Sequence, residues 1–218
     1  MNKFLSLFAL LLFTAYSFAE KGLVVTQKFT DTNSKASVTV TWYVTDAACK
    51  MKMEFTDDKV NSVSWFIPDY SGNQLLTYAE GEVPAGAVKN YYLIPVAGIK
   101  ADHASNDYKI ERTGETKTIG GMNCEKIVAR SASSTTEMWV TKEFTASFYK
   151  ASSFFANSVE LSILNAQKIT GVALESNTKD NSGKVLNSYS LVSANYMQLS
   201  STDFKVPAPY KLAVVGKY

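Results

Sequence analysis

The chain has a single histidine, His103, and that scarcity excludes most of the chemistry a sequence can announce. Nucleophilic catalysis needs a base beside the nucleophile, usually an imidazole. His103 stands in a Lys-Ala-Asp-His-Ala-Ser run, where Asp102 and Ser105 are neighbours along a loop and not a triad. Metal sites need three or four ligands, and one histidine with scattered carboxylates offers no ligand spacing. Phosphate loops are missing too, because Gly120-Gly121 lacks the following lysine and helix. A glycosidase's carboxylate pair meets only in the fold and leaves no trace in sequence. Charge of one sign is equally scarce. Lys and Arg total 22 against 20 Asp and Glu, a net +2, and no basic run points to nucleic acid. The expectation is no enzyme, no metal and no cofactor.

Cysteine is nearly absent as well. Cys49 and Cys124 are the only two, and neither has a Cys or His neighbour at ligand spacing. In an oxidising compartment such a pair reads first as a disulfide, worth roughly 4 kcal/mol for a loop of that span in the chain-entropy model. The other reading is two separate buried thiols packed as small apolar groups. Sequence alone does not show whether the two Cα atoms come within bonding reach.

The longest apolar run is at the N-terminus, from Phe4 to Phe13, preceded by Lys3. Ser17-Phe18-Ala19 then sets small residues at the -3 and -1 positions before Glu20. Basic, apolar, then small-x-small is the order of a secretory signal peptide, here residues 1–19. The run is shorter than the roughly 20 residues a membrane span needs, and no cysteine follows it for lipid attachment. An uncleaved anchor is the alternative. Removing 19 of 218 residues leaves 199, and losing Lys3 takes the charge from +2 to +1. That length suits one domain, 20–218, periplasmic or secreted and expected to be a monomer, with no transmembrane segment in the mature chain. Its hydrophobic content of 46% against 19% charged is that of a core-former.

What is present is period-two alternation. Val38, Val40, Trp42 and Val44 share one face of a strand, with Thr39, Thr41, Tyr43 and Thr45 on the other. Cys49, Met51, Met53 and Phe55 alternate with Lys50, Lys52 and Glu54 in the next. Val63, Trp65 and Ile67 align in a third, which a Pro68–Asn73 turn ends before Gln74–Tyr78 pairs back. Glu80 to Asp107 is irregular and reads as a flap with a short helix around Pro84 to Tyr91. Tyr108 to Arg112 opens a ladder that bends at Gly120-Gly121 and continues through Ile127, Val128 and the Trp139 strand. Ile169 to Leu174 and Val185 to Met197 read as an antiparallel pair, and Asp203 to Tyr210 as a strand closed by two prolines. Between them, Glu143 to Asn165 reads as one long helix. Phe144, Phe148, Ala151, Phe155 and Val159 recur at its three- to four-residue spacing. Packing onto the sheet is one role for that stripe, and lining a ligand cavity is the other.

Thr113 to Gly121, Cys124, Glu137 to Lys142, Gly171 to Leu174 and Phe204 to Pro207 resemble the bacterial domain-of-unknown-function family numbered 4412. That family is usually related to the LolA/LolB-like periplasmic lipoprotein carriers. The resemblance is carried by motifs from Tyr108 onward and by strand pattern before it. It implies a mainly β, α+β fold: a curved antiparallel sheet, an open half-barrel of LolA-like type, with the helix in its concave side. Such carriers hold acyl chains there.

The expected function is that of an exported, non-enzymatic envelope protein binding a lipid, acyl chain or lipoprotein between sheet and helix. The expected pocket comprises Trp42, Met51, Met53, Trp65, Trp139, Phe148, Phe155 and Val159, because flexible and bulky apolar side chains adapt to varied ligands. The alternative is an interaction module with a self-filled core, making its contacts through the Glu80–Asp107 loop.

Overall fold

The computed structural model describes residues 19–32, 37–56, 61–81, 87–95, 108–143, 160, 163–164 and 167–213. They form one open sheet of twelve strands, built from two antiparallel meanders. The first comprises β1 (Glu20–Asp31), β2 (Ser37–Val44), β3 (Cys49–Thr56), β4 (Asn61–Asp69), β5 (Gln74–Glu80) and β6 (Lys89–Pro95). The second comprises β7 (Lys109–Ile119), β8 (Met122–Arg130), β9 (Ser134–Thr141), β10 (Val172–Asp180) and β11 (Val185–Leu199). β1 pairs with β11 and joins the two meanders. A short β12 (Tyr210–Leu212) lies parallel to β6 at the far edge.

Direct antiparallel partners put their side chains on the same face, so the register defines rows across the sheet. One row runs Tyr92, Thr77, Phe66, Met51, Trp42, Val25, Ala194, from β6 to β11. That side is the inner face. Val25, Trp42 and Met51 are buried on it, as the alternation of β2 and β3 requires.

The sheet folds over on itself. β10 pairs with β11 only from Ser176 to Lys179, and an irregularity between Ala173 and Glu175 turns its first residues away. Val172 and Leu174 then join Ile119, Met122 and Cys124 in one core with Leu23, Val25, Val40, Trp42, Val44, Cys49 and Met51. Gly120, at the β7–β8 turn, shows how close the approach is: a Cβ placed there would lie 2.5 Å from Leu191 Cδ2. β8 and β11 are three strand positions apart, about 14 Å in a flat sheet. Ile127, Ala129, Met138 and Val140 make a second core under Ile163, Leu164 and Ile169.

This overturns the α+β expectation. The described residues are nearly all strand, with no long helix; of Glu143–Asn165 only Glu160, Ile163 and Leu164 are described as helical. The physical reason lies in the larger core, where, among the described residues, strand side chains are buried by other strands of the same folded-over sheet. Two smaller expectations also change. Lys89–Tyr91, read as part of a short helix, belongs to β6, and Asp203–Pro209 forms turns, with the strand starting at Tyr210 after the prolines. Residues 1–18, which hold the signal-peptide pattern, lie outside the described residues, as does His103. No helix among the described residues is long and apolar enough to cross a membrane.

Gly120 and Gly121 both take positive φ, 56° and 81°, as a two-residue hairpin turn demands. Gly121→Ala is expected to cost about 1 kcal/mol through that conformation alone, since a Cβ there meets open space. Gly120→Ala is expected to cost roughly 1–2 kcal/mol more, because Leu191 must give way. Urea unfolding measures both, and adding Leu191→Ala to Gly120→Ala should remove the excess if the fold-over contact is its source.

Candidate functional site

The inner face is mostly apolar, and one line of buried polar side chains crosses it. Gln27 occupies the apolar register of β1, between Val25 and Phe29, and is buried. Its amide nitrogen donates to the Ala173 carbonyl at 2.9 Å, tying β1 to the point where β10 leaves the sheet. Its carbonyl accepts the Tyr189 hydroxyl at 2.9 Å, and that hydroxyl in turn takes a hydrogen bond from Trp42. Ser176, opposite Tyr189 in the β10–β11 ladder, donates to Glu160 Oε1 at 2.6 Å. One step further along β10, Thr178 and Thr136 hydroxyls meet at 3.1 Å. Burial pushes the Tyr189 phenol well above its ordinary range, and the nearby Glu160 carboxylate pushes it the same way. These buried groups bond one another and the backbone, as polar atoms away from water must.

The structure brings Trp42, Met51 and Met53 together on the inner face: Trp42 and Met51 pair directly, and Met53 packs against the same core. Trp65 is on the opposite face. It pairs with Lys52 and Tyr78, its ring lies 3.9 Å beneath Lys50 Nζ, and its indole N–H donates to Glu80 at 2.7 Å. Lys50 itself is buried among these rings and donates to the Asp203 carbonyl, and burial lowers its pKa. Trp139 pairs with Glu175 and Lys126, and Lys117 covers its ring at 4.4 Å while bonding Glu175. Its partly buried ring also touches the larger core. Phe148, Phe155 and Val159 lie outside the described residues. Sequence reasoning missed Gln27, Ser176, Tyr189 and Glu160. A signal existed for the first: Gln27 interrupts the apolar alternation of Leu23, Val25 and Phe29.

Cys49 and Cys124 are free and not bonded to each other, which corrects the disulfide reading in favour of two separate buried thiols. Both belong to the larger core, one from β3 and one from β8. Burial pushes the Cys124 thiol up to about 11 and raises Cys49 well above the usual thiol range.

A folded-over open sheet with a mostly apolar inner face defines a β-domain class rather than a reaction. Within it, the chain belongs to the family of the domain of unknown function DUF4412, whose model matches residues 22–210. The relation thus extends over the first half, where strand pattern alone had suggested it. No curated protein matches the chain in sequence. Among solved structures it is similar to the Pseudomonas aeruginosa MucA/MucB complex, at 12% identity and TM-score 0.49, covering 94% of this chain and 62% of that one. It is also similar to an uncharacterized conserved protein from Thermus thermophilus, at 12% identity and TM-score 0.47, covering 95% and 98%. A third is a domain ascribed to outer membrane lipoprotein sorting in Vibrio parahaemolyticus, at 10% identity and TM-score 0.33, covering 84% and 88%.

Tyr189→Phe removes the donor to the buried Gln27 carbonyl and the acceptor facing Trp42, an expected loss of about 1–3 kcal/mol in denaturant unfolding. Gln27→Leu in that background should add less than it does alone, with a coupling of about 1 kcal/mol or more. The thiols are expected to resist Ellman's reagent at pH 8 until the chain unfolds. Their raised folded pKa values mean the unfolded chain releases these protons first, so they make stability fall as pH rises from the ordinary thiol range towards 11. A Cys49→Ala/Cys124→Ala double variant should show a shallower alkaline decline.

Proposed function

We propose that this chain is an exported, non-enzymatic, monomeric protein of the bacterial envelope that binds a lipid or acyl chain on the inner face of its sheet. One observation carries the reading. The inner row is closed in its middle, with Trp42 and Met51 each 5% exposed, yet open at the β6 end, where Tyr92 is 46% exposed. Ile94 and Phe55 share that face and are likewise exposed. Between them stand Met53 and Phe66, partly buried against the core. An apolar tract that passes from buried to open without a change of face is a surface on which an apolar chain gains by leaving water. Trp42, Met51 and Met53 form its floor, and Trp65, on the other side, takes no part. The basic, apolar and small-x-small order of residues 1–19 supports export. The inner polar groups support binding over catalysis, because Gln27, Tyr189 and Trp42 are engaged in holding strands.

The mature chain from Glu20, purified from a bacterial envelope fraction and extracted with organic solvent, should release stoichiometric lipid in mass spectrometry. Phe55→Asp and Ile94→Asp are expected to lower that loading several-fold with little effect on the unfolding midpoint, since both positions are exposed. Wild-type preparations repeatedly free of lipid would overturn this reading in favour of an interaction module with a self-filled core.

A further inference from the structure

The inner face holds one carboxylate whose partners, among the described residues, do not match its charge. Glu160 is 8% exposed, and its Oε1 takes the Ser176 hydroxyl. No described residue pairs with its other oxygen, and no described cation forms an ion pair with it. Removing a carboxylate from water without a counter-charge is costly, and a single neutral hydroxyl does not offset it. The surrounding groups narrow what would. Ser176 has spent its one hydroxyl proton on Glu160, and Tyr189 has spent its own on Gln27. Both Gln27 contacts to β10 carbonyls run through its amide nitrogen. The capacity left over is acceptor capacity: the second carboxylate oxygen, the lone pairs of the Ser176 hydroxyl and the one lone pair of the Tyr189 hydroxyl that Trp42 does not use. A neutral hydroxyl ligand would satisfy one acceptor, and an anion would be repelled. A group with several donors and a positive charge satisfies both the hydrogen bonding and the charge.

We propose that Glu160, with Ser176 and Tyr189, forms the headgroup end of the inner-face site and selects ligands that carry an ammonium group on an apolar tail. This rests on the hydrophobic-ligand reading above and adds the polar end that reading lacks. The ammonium would sit against the Glu160 carboxylate while the tail lies along the inner-face row Tyr189, Phe29, Val38 and Phe55, which ends at the exposed Phe55 of β3.

Two twelve-carbon probes of opposite charge, dodecylammonium and laurate, titrated into lipid-stripped mature chain at pH 7, separate the possibilities. Wild type is expected to bind dodecylammonium about tenfold or more tightly than laurate. Glu160→Gln, which keeps a carbonyl to accept from Ser176, is expected to erase that preference. It should also raise the urea midpoint of the ligand-free chain, because it removes a buried charge that no described cation balances, whereas a merely structural Glu160–Ser176 bond, which Gln can keep, predicts no rise. Equal binding of both probes by wild type, a measurement that needs no variant, would overturn the ammonium site and leave the hydrophobic reading standing. Preference persisting in Glu160→Gln would do the same. Failure of wild type to bind either probe would remove both.

Discussion

The pairing of β1 with β11 is the constraint on which the rest of the molecule depends. It is the ladder that joins the first meander to the second, running from Glu20 opposite Leu199 to Asp31 opposite Asn187. The inner-face row from Tyr92 to Ala194 passes through it. If that ladder slipped by one residue, Val25 would trade places with Thr26 and the buried side of β1 would face water, because strand side chains alternate. Gln27 guards against the slip. Its amide reaches the Ala173 carbonyl and its carbonyl takes the Tyr189 hydroxyl, two bonds available in only one register. A polar side chain at the centre of an apolar face thereby fixes the alignment of strands remote from one another in the chain.

The same region explains how an open sheet buries its own surface. β10 stays with β11 from Ser176 to Lys179 and then leaves it, and the residues it carries away pack back over β1, β2 and β3. Bulges bend and twist a strand locally, and here the bend converts a flat ribbon into two facing layers. The exposed ends need other protection. β7, the edge strand, carries Lys109, Glu111, Arg112, Glu115 and Lys117 and a register irregularity between Arg112 and Thr116, features that discourage pairing with another chain. On the outer face Lys50 and Lys52 lie over Trp65, and in the second meander Lys117 and Lys126 lie over Trp139, so each large ring is covered by alkyl stems whose ammonium groups meet the ring face.

How much of this was legible varies with the element. The strands of β2 and β3, the turn at Gly120-Gly121 and the apolar side of Cys49 follow from neighbours in sequence. The alignment of Val63, Trp65 and Ile67 was equally readable, and those residues do share a face. What was not readable is that this is the outer face: β4 is apolar on both sides, with Phe66 and Pro68 on the other, so alternation within it has no preferred direction. The long helix failed for a related reason. Apolar spacing shows that a segment wants a partner without naming it, and among the described residues the buried members of the larger core all lie on strands. Cys49 and Cys124 reach the same core from different strands, yet sharing a core is a looser condition than the geometry of an S–S bond.

Sequence by itself determined the local facts: which runs extend, where they turn, and which alternate positions want burial. Those depend on backbone sterics and side-chain period, which act over a few residues. Tertiary structure alone decided which face is inner, how the meanders are joined, and that Glu160, Ser176, Tyr189 and Gln27 come together. Each of these is a relation between strands remote in the chain, and hydrogen-bond register, which no single strand carries, is what settles it.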